Sequence, residues 1–277
     1  MSCQDILCVF EPTQAGLPPA FAQAVALAKA QQAHLTVVPV SVISRAPGSA
    51  ISAALVSGML KTVNDQVRAA TNVSAQAAKE ALALSGLTYD VNVHEGIMLD
   101  LGDWIAKAAR SVDLTVVDRP SNAIEASELF FERALFSSGR PVLVASPEHM
   151  SEAVRKATLA WNGSAVAARA LGEAIALFPS LKAVDVVVVN GEKSLANALP
   201  GTEIAQHLAR HKIEVNLIEA PVVSGSIAAT IDEVATRAKS DLIVMGGFGH
   251  SRLREFLLGG VTAEITALAR LPVLFAH

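Results

Sequence analysis

Two glycine clusters toward the C-terminal end are the residues whose type and spacing best suit chemistry. Gly246-Gly247-Phe248-Gly249 interrupts a short apolar run, Asp241 to Met245. A second pair, Gly259-Gly260, leads into Val261-Thr262 and then an apolar helical pattern through Ile265, Leu268 and Ala269. The apolar run reads as a buried strand of a parallel sheet. Glycine lets backbone N–H groups come close to a phosphate, and a helix N-terminus adds unpaired donors and a partial positive charge. A glycine turn at a strand's carboxyl end, with a glycine pair opening the next helix, therefore suits an anion bound beyond the sheet. Either cluster alone would also serve as a plain tight turn. Their pairing at this spacing is what points to a ligand.

Catalytic constellations are thin. The chain has no G-x-x-x-x-G-K-[ST] phosphate loop, no G-x-G-x-x-G dinucleotide turn and no G-x-S-x-G nucleophile elbow. His250-Ser251 would be a nucleophile and base only if sequence neighbours faced one another, and a capping serine beside a surface histidine explains the pair more simply. Arg252 and Arg254 have the reach to touch phosphates, though a solvated face accounts for them better. His207 and His211 stand four apart on one helix face, without the glutamate of a metalloprotease pattern. No catalytic residue and no metal site is assigned.

Gly246-x-x-Gly249, nine residues, then Gly259 and a small residue resembles the nucleotide-binding signature of the universal stress protein family, G-x2-G-x9-G-(S/T). Leu159 to Ser164 is similar to that family's first strand and turn, and Leu271 to Phe275 to its last strand. The resemblance implies a regulatory, stress-response protein that binds an adenine nucleotide, ATP with or without Mg, rather than an enzyme. It places Trp161 and Asn162 beside the adenosine, where ATP-binding members usually carry an aspartate, and Val189 on the adenine. Met245, Gly246, Phe248 and Gly249 would line the base, ribose and phosphates. Gly259, Gly260, Val261 and Thr262 would hold phosphates through backbone N–H groups and the Thr262 hydroxyl. Asn162 and Gly260 depart from the family pattern, so the resemblance implies weak binding. A nucleotide-free scaffold that meets an unknown protein partner and a slow ATP hydrolase are the alternative readings.

The elements that must position these residues follow from an internal repeat. Ile105 to Val117 echoes Val234 to Met245, Arg140 to Ala145 echoes Leu271 to Ala276, and Ile6 to Pro12 can be laid on Ala157 to Gly163. The chain thus reads as two copies of one domain, residues 1–147 and 152–277, joined near Ser146-Pro147. Each copy alternates strand and helix patterns, which implies right-handed βαβ units. The expected fold class is α/β: tandem Rossmann-like domains, each with a five-stranded parallel sheet that the resemblance orders 3-2-1-4-5. Strands are expected near 5–10, 34–42, 87–94, 113–117 and 141–145, and again near 157–161, 184–190, 213–219, 241–246 and 272–276. The Ala- and Gln-rich region from Ile51 to Leu84 is one long helix or two. Helices of the second copy are expected near 164–177, 194–211, 225–239 and 260–270, with Ser224 or Ser226 capping the third. The last strand of each copy is an apolar edge, so the halves are expected to pack about a pseudo-twofold.

With 277 residues, 52% apolar and 17% charged, the chain can bury substantial cores. A formal charge of −4 leaves no basic footprint for nucleic acid or an anionic membrane. Neither a membrane span nor a secretory start is evident, and the two cysteines, Cys3 and Cys8, have no metal or redox spacing, so a cytoplasmic protein is expected.

The two copies differ where chemistry is expected. Opposite Gly246-Gly-Phe-Gly249 the first copy has Asp118-Arg119-Pro120-Ser121, and opposite Gly259-Gly260 it has Glu128-Leu129. Carboxylates repel phosphates and proline lacks a donor. Nucleotide is therefore expected only in the second copy, with the first as support or a partner surface.

Overall fold

The computed structural model describes residues 3–13, 16–45, 50–120, 125–147, 153–190, 201–247 and 260–277. In the first half the order is β1 (Asp5–Phe10), α1 (Pro19–Gln31), β2 (His34–Val42), α2 (Ala50–Ala83), β3 (Tyr89–Val91), β4 (His94–Gly96), α3 (Met98–Ala109), β5 (Leu114–Val117), α4 (Glu125–Ser138) and β6 (Val142–Val144). The second half follows with β7 (Lys156–Ala160), α5 (Ala165–Leu177), β8 (Ala183–Asn190), α6 (Gly201–Arg210), β9 (Glu214–Pro221), α7 (Ile227–Arg237), β10 (Leu242–Gly246), α8 (Gly260–Leu268) and β11 (Val273–Ala276).

Local chemistry accounts for these elements. The central strands β5 and β10 are short apolar runs buried along their length except at Gly246, as strands covered on both faces must be. Helix α5 starts where the Ser164 hydroxyl accepts the Ala167 N–H at 3.2 Å, and α7 where Ser226 accepts from Ala229 at 2.9 Å. Between the two expected caps of α7, Ser226 is therefore the one used. Helix α2 is a single 34-residue helix. The strand expected over 87–94 is instead two short ones, β3 and β4, both parallel to β2. Trp104 is half-buried and stacks on His94 with ring centroids 4.1 Å apart.

One repeated residue has a repeated task. Asp113 Oδ2 accepts the N–H groups of Gln4 and Asp5 at 2.7 and 3.2 Å, tying the entrance of β1 to that of β5. Asp241 Oδ2 accepts from Arg155 and Lys156 at 2.8 and 3.0 Å, tying β7 to β10 in the same way. These aspartates are what the sequence repeat preserved just ahead of each central strand.

All strands form one sheet, in the order β3-β2-β1-β5-β6-β11-β10-β7-β8-β9, with β4 extending the pairing of β2. Each half is therefore wound 3-2-1-4-5 apart from β4. The halves meet where β6 pairs antiparallel with β11, Leu143 opposite Leu274 and Val142 opposite Phe275. Because equivalent residues face each other, a local twofold passes between Leu143 and Leu274. Both would-be apolar edges are consumed in this pairing. Each face of the sheet carries one core that runs across the seam. Helices α1, α2, α5 and α6 cover one face, and α3, α4, α7 and α8 the other. Among the described residues no helix is long and apolar enough to cross a membrane.

The seam is also polar. Arg119, just after β5, donates from Nη1 to the Ala267 carbonyl at 3.0 Å and from Nη2 to the Ala269 carbonyl, gripping the last turn of α8. A cation there complements the negative end of a helix. Asp232 on α7 accepts from Arg270 N at 2.8 Å and Nε at 2.9 Å, and the Ser146 hydroxyl donates to the Arg270 carbonyl.

Candidate functional site

In a 3-2-1-4-5 sheet the chain winds one way from the first strand and the opposite way from the fourth, leaving a crevice beyond their carboxyl ends. The second half has this switch point between β7 and β10. A cleft there is lined by Ala160, Trp161, Asn162, Val187, Val189, Ile227, Ile231, Met245, Gly246 and Val261. Of the eleven residues expected to form a nucleotide site, Trp161, Asn162, Val189, Met245, Gly246 and Val261 are therefore brought to one place. Phe248, Gly249 and Gly259 lie outside the described residues, as do His250, Ser251, Arg252 and Arg254. Gly260 begins α8 without lining the cleft, and Thr262 is buried two residues further on.

Several details sharpen the expectation. Asn162 Oδ1 accepts the Ser164 N–H at 3.2 Å, so one of its two acceptor positions is used on the turn into α5, and the other and the amide donors are left for a ligand. The Trp161 indole nitrogen is buried without a partner, an unspent donor in the cleft wall that pattern reasoning did not single out. A Cβ on Gly246 would meet Val166 Cγ2 at 2.6 Å and the Ala167 nitrogen at 2.7 Å, so close packing of β10 on the start of α5 already requires glycine. A Cβ on Gly247 would meet Leu135 Cδ2, across the seam on α4, at 2.6 Å. Gly260 is different: no described atom lies within 4 Å of its Cβ position and its φ is not left-handed. Among the described residues no crowding explains glycine there. The cleft encloses about 50 Å³ between these walls, whereas ligand sites usually run from about 300 to 1,000 Å³.

His207 and His211 are exposed on the last turn of α6 and just beyond it, rings 4.8 Å apart. Among the described residues no group of three or more potential metal ligands gathers. Cys8 is fully buried and Cys3 nearly so, and burial pushes the Cys3 thiol up to about 12.

The first half has its own switch point between β1 and β5. Sheet register sets Glu11 where Asn162 stands in the second half, and Asp118 where Gly246 stands. Asp118 Oδ1 accepts the Ala20 N–H at 3.0 Å, capping α1, whose own N-cap residue Pro18 offers no side-chain acceptor. Burial lifts the Asp118 carboxyl to about 6, against the pull of that hydrogen bond. Glu11 Oε2 is buried with no partner, and burial lifts this carboxyl to about 7. Arg119 follows; burial lowers its pKa while the Asp232 charge raises it, and its Nε is buried unpartnered.

Fold and crevices define a doubly wound α/β protein in two fused copies, each with a crevice at its switch point. Residues 153–277 match the model of the universal stress protein family. A universal stress protein of Synechocystis sp. is 27% identical over 147 residues, 52% of this chain and 49% of the relative, so the chain matches about half that relative's length. Across nearly the whole chain the fold is similar to a universal stress protein from Archaeoglobus fulgidus, with a TM-score of 0.62, 14% identity and coverage of 98% of this chain and 95% of that one. A functionally unknown protein from Pseudomonas aeruginosa is similar with a TM-score of 0.58 and 16% identity, covering 99% and 92%.

Proposed function

We propose that the chain is a regulatory universal stress protein whose second half binds an adenine nucleotide, ATP foremost, weakly. The observation that carries this reading is the convergence of Trp161, Asn162, Val189, Met245, Gly246 and Val261 on one switch-point cleft. In this reading the unpartnered Trp161 donor and the backbone N–H groups that open α8 would supply hydrogen bonds to a polar ligand without a cation from the protein. In this reading phosphates lie at the start of α8 and the base lies toward Val189. The small volume means that binding must part the walls, which lowers affinity by the fraction of protein already open.

Gly260 supplies the test because a side chain there meets nothing described. Gly260→Asp should fold normally, since a carboxylate in the first turn of a helix is favourable, yet it should abolish ATP binding in calorimetric titration. Gly260→Ser should strengthen binding several-fold, because a hydrogen bond to a charged group is worth about 1.5–3 kcal/mol. Full ATP affinity in a folded Gly260→Asp protein would remove phosphate from this end of α8.

A nucleotide-free interaction protein is the second reading. It is favoured by the local structural use of Asn162 in the turn into α5 and by packing reasons for glycine at 246 and 247. Mass spectrometry of small molecules released from denatured protein separates the two readings.

A further inference from the structure

The larger crevice lies in the half that carries no nucleotide motif. It encloses about 300 Å³ at the β1–β5 switch point, the size at which small-molecule sites begin. Its walls are chiefly apolar, with Val9, Phe10, Pro18, Val117 and Phe130 among them. Glu11, Asp118 and Arg119 are the charged groups facing it among the described residues. The hydroxyl-bearing Thr13, Ser127 and Ser146 complete its polar wall. The Arg119 charge is directed into the seam, where both Nη atoms serve carbonyls of α8 and its following residue. Neither Glu11 nor Asp118 has a cationic side chain in salt-bridge contact among the described residues.

We propose that this crevice binds a small, mainly apolar organic ammonium, its charged nitrogen on the Glu11 carboxylate and its hydrocarbon body against Phe10 and Phe130. Three observations support this chemistry. The cavity sits where doubly wound sheets receive ligands. Its lining suits a hydrocarbon, and the Glu11 carboxylate in its wall, with Oε2 buried and unpartnered, suits a cationic donor. The second carboxylate, Asp118, adds to the attraction for a cation and repels a phosphate, so the crevice selects against the ligand class proposed for the other half. The raised pKa values of Glu11 and Asp118 agree: each carboxylate is held away from water without a cation, and a bound ammonium would supply one. The inference stands independently of nucleotide binding in the second half.

Calorimetric titration of the whole chain with 2-phenylethylamine, which stays protonated at both pH 6 and pH 8, is the direct test. Its neutral isostere 2-phenylethanol is the control. A carboxyl titrating near 7 is about one-tenth ionised at pH 6 and about nine-tenths at pH 8, so the amine should bind roughly tenfold tighter at pH 8. The alcohol should bind at least about tenfold more weakly than the amine at pH 8. Glu11→Gln should lose tenfold or more in amine affinity and keep only the roughly twofold pH dependence that Asp118 contributes between pH 6 and pH 8, while melting no lower than the parent protein at pH 8. Asp118→Asn, which keeps an acceptor for the Ala20 N–H, should weaken binding several-fold. The proposal is overturned if the amine does not bind at millimolar concentration, if the alcohol binds as tightly, or if folded Glu11→Gln retains the affinity and its pH dependence.

Discussion

Replacing Glu11 by Gln should make the protein more stable above neutral pH and leave it unchanged in acid. The reasoning starts from one carboxyl group at the end of β1, half-buried, with Oε2 sealed from water and unpartnered. Burial raises its pKa from 4.5 to about 7. The folded state therefore holds this proton more tightly than the unfolded chain. Between the two values the folded protein binds more protons, so stability falls as pH rises through that window and the loss is complete above pH 8. At about 1.4 kcal/mol per pKa unit, a shift of this size corresponds to about 3.4 kcal/mol. Glu11 is only half-buried, so solvent screening reduces the expected effect to about 1–2 kcal/mol. Urea denaturation of both proteins at pH 4 and pH 8 reads this directly, provided the denaturant slope is unchanged. Asp118, raised from 3.8 to about 6, has the same sign over a lower window and contributes equally to both proteins, so it cancels in the difference. Equal midpoints at pH 8, or a Glu11→Gln protein that is less stable there, would refute the claim that this carboxylate is held against its preference.

The remaining expectations concern scaffold positions. Asp241→Ala should cost about 2–4 kcal/mol in urea denaturation, because two N–H groups at the entrance of β7 lose a charged acceptor, whereas Asp241→Asn should recover part of the loss. A cost below about 0.5 kcal/mol would show that water replaces the carboxylate. Gly247→Ala should destabilise by about 1–3 kcal/mol, since the new methyl group meets the buried Leu135 across the seam. Gly260→Ala, at a helix start where the new methyl group meets no described atom, should be neutral or stabilising by up to about 1 kcal/mol in the same assay.

Much of the architecture was legible because it is written in short-range patterns. Apolar runs such as Leu242 to Met245, the helix-starting Ser164 and Ser226, and the echo of Asp113 in Asp241 each act within a few residues of where they stand. The exchange of Gly246 for Asp118 was also readable once the repeat was aligned. What that exchange does was not, because it depends on a helix start about a hundred residues away: the Ala20 N–H that Asp118 caps. The same holds for Gly246 and Gly247, whose spacing suggested a ligand while their neighbours Val166 and Leu135 supply packing reasons that no local pattern contains. An asparagine at 162 advertises a free acceptor in sequence, and only the turn into α5 shows it partly engaged. The larger crevice of the first half was hidden for a related reason. Glycine motifs announce themselves by composition, but the burial of Glu11 arises from parts of the chain as distant as Pro18, Phe130 and Pro147 closing over one strand end. Desolvation belongs to the assembled surroundings rather than to the residue. Tertiary structure alone therefore decides where a carboxylate is left without water or a partner.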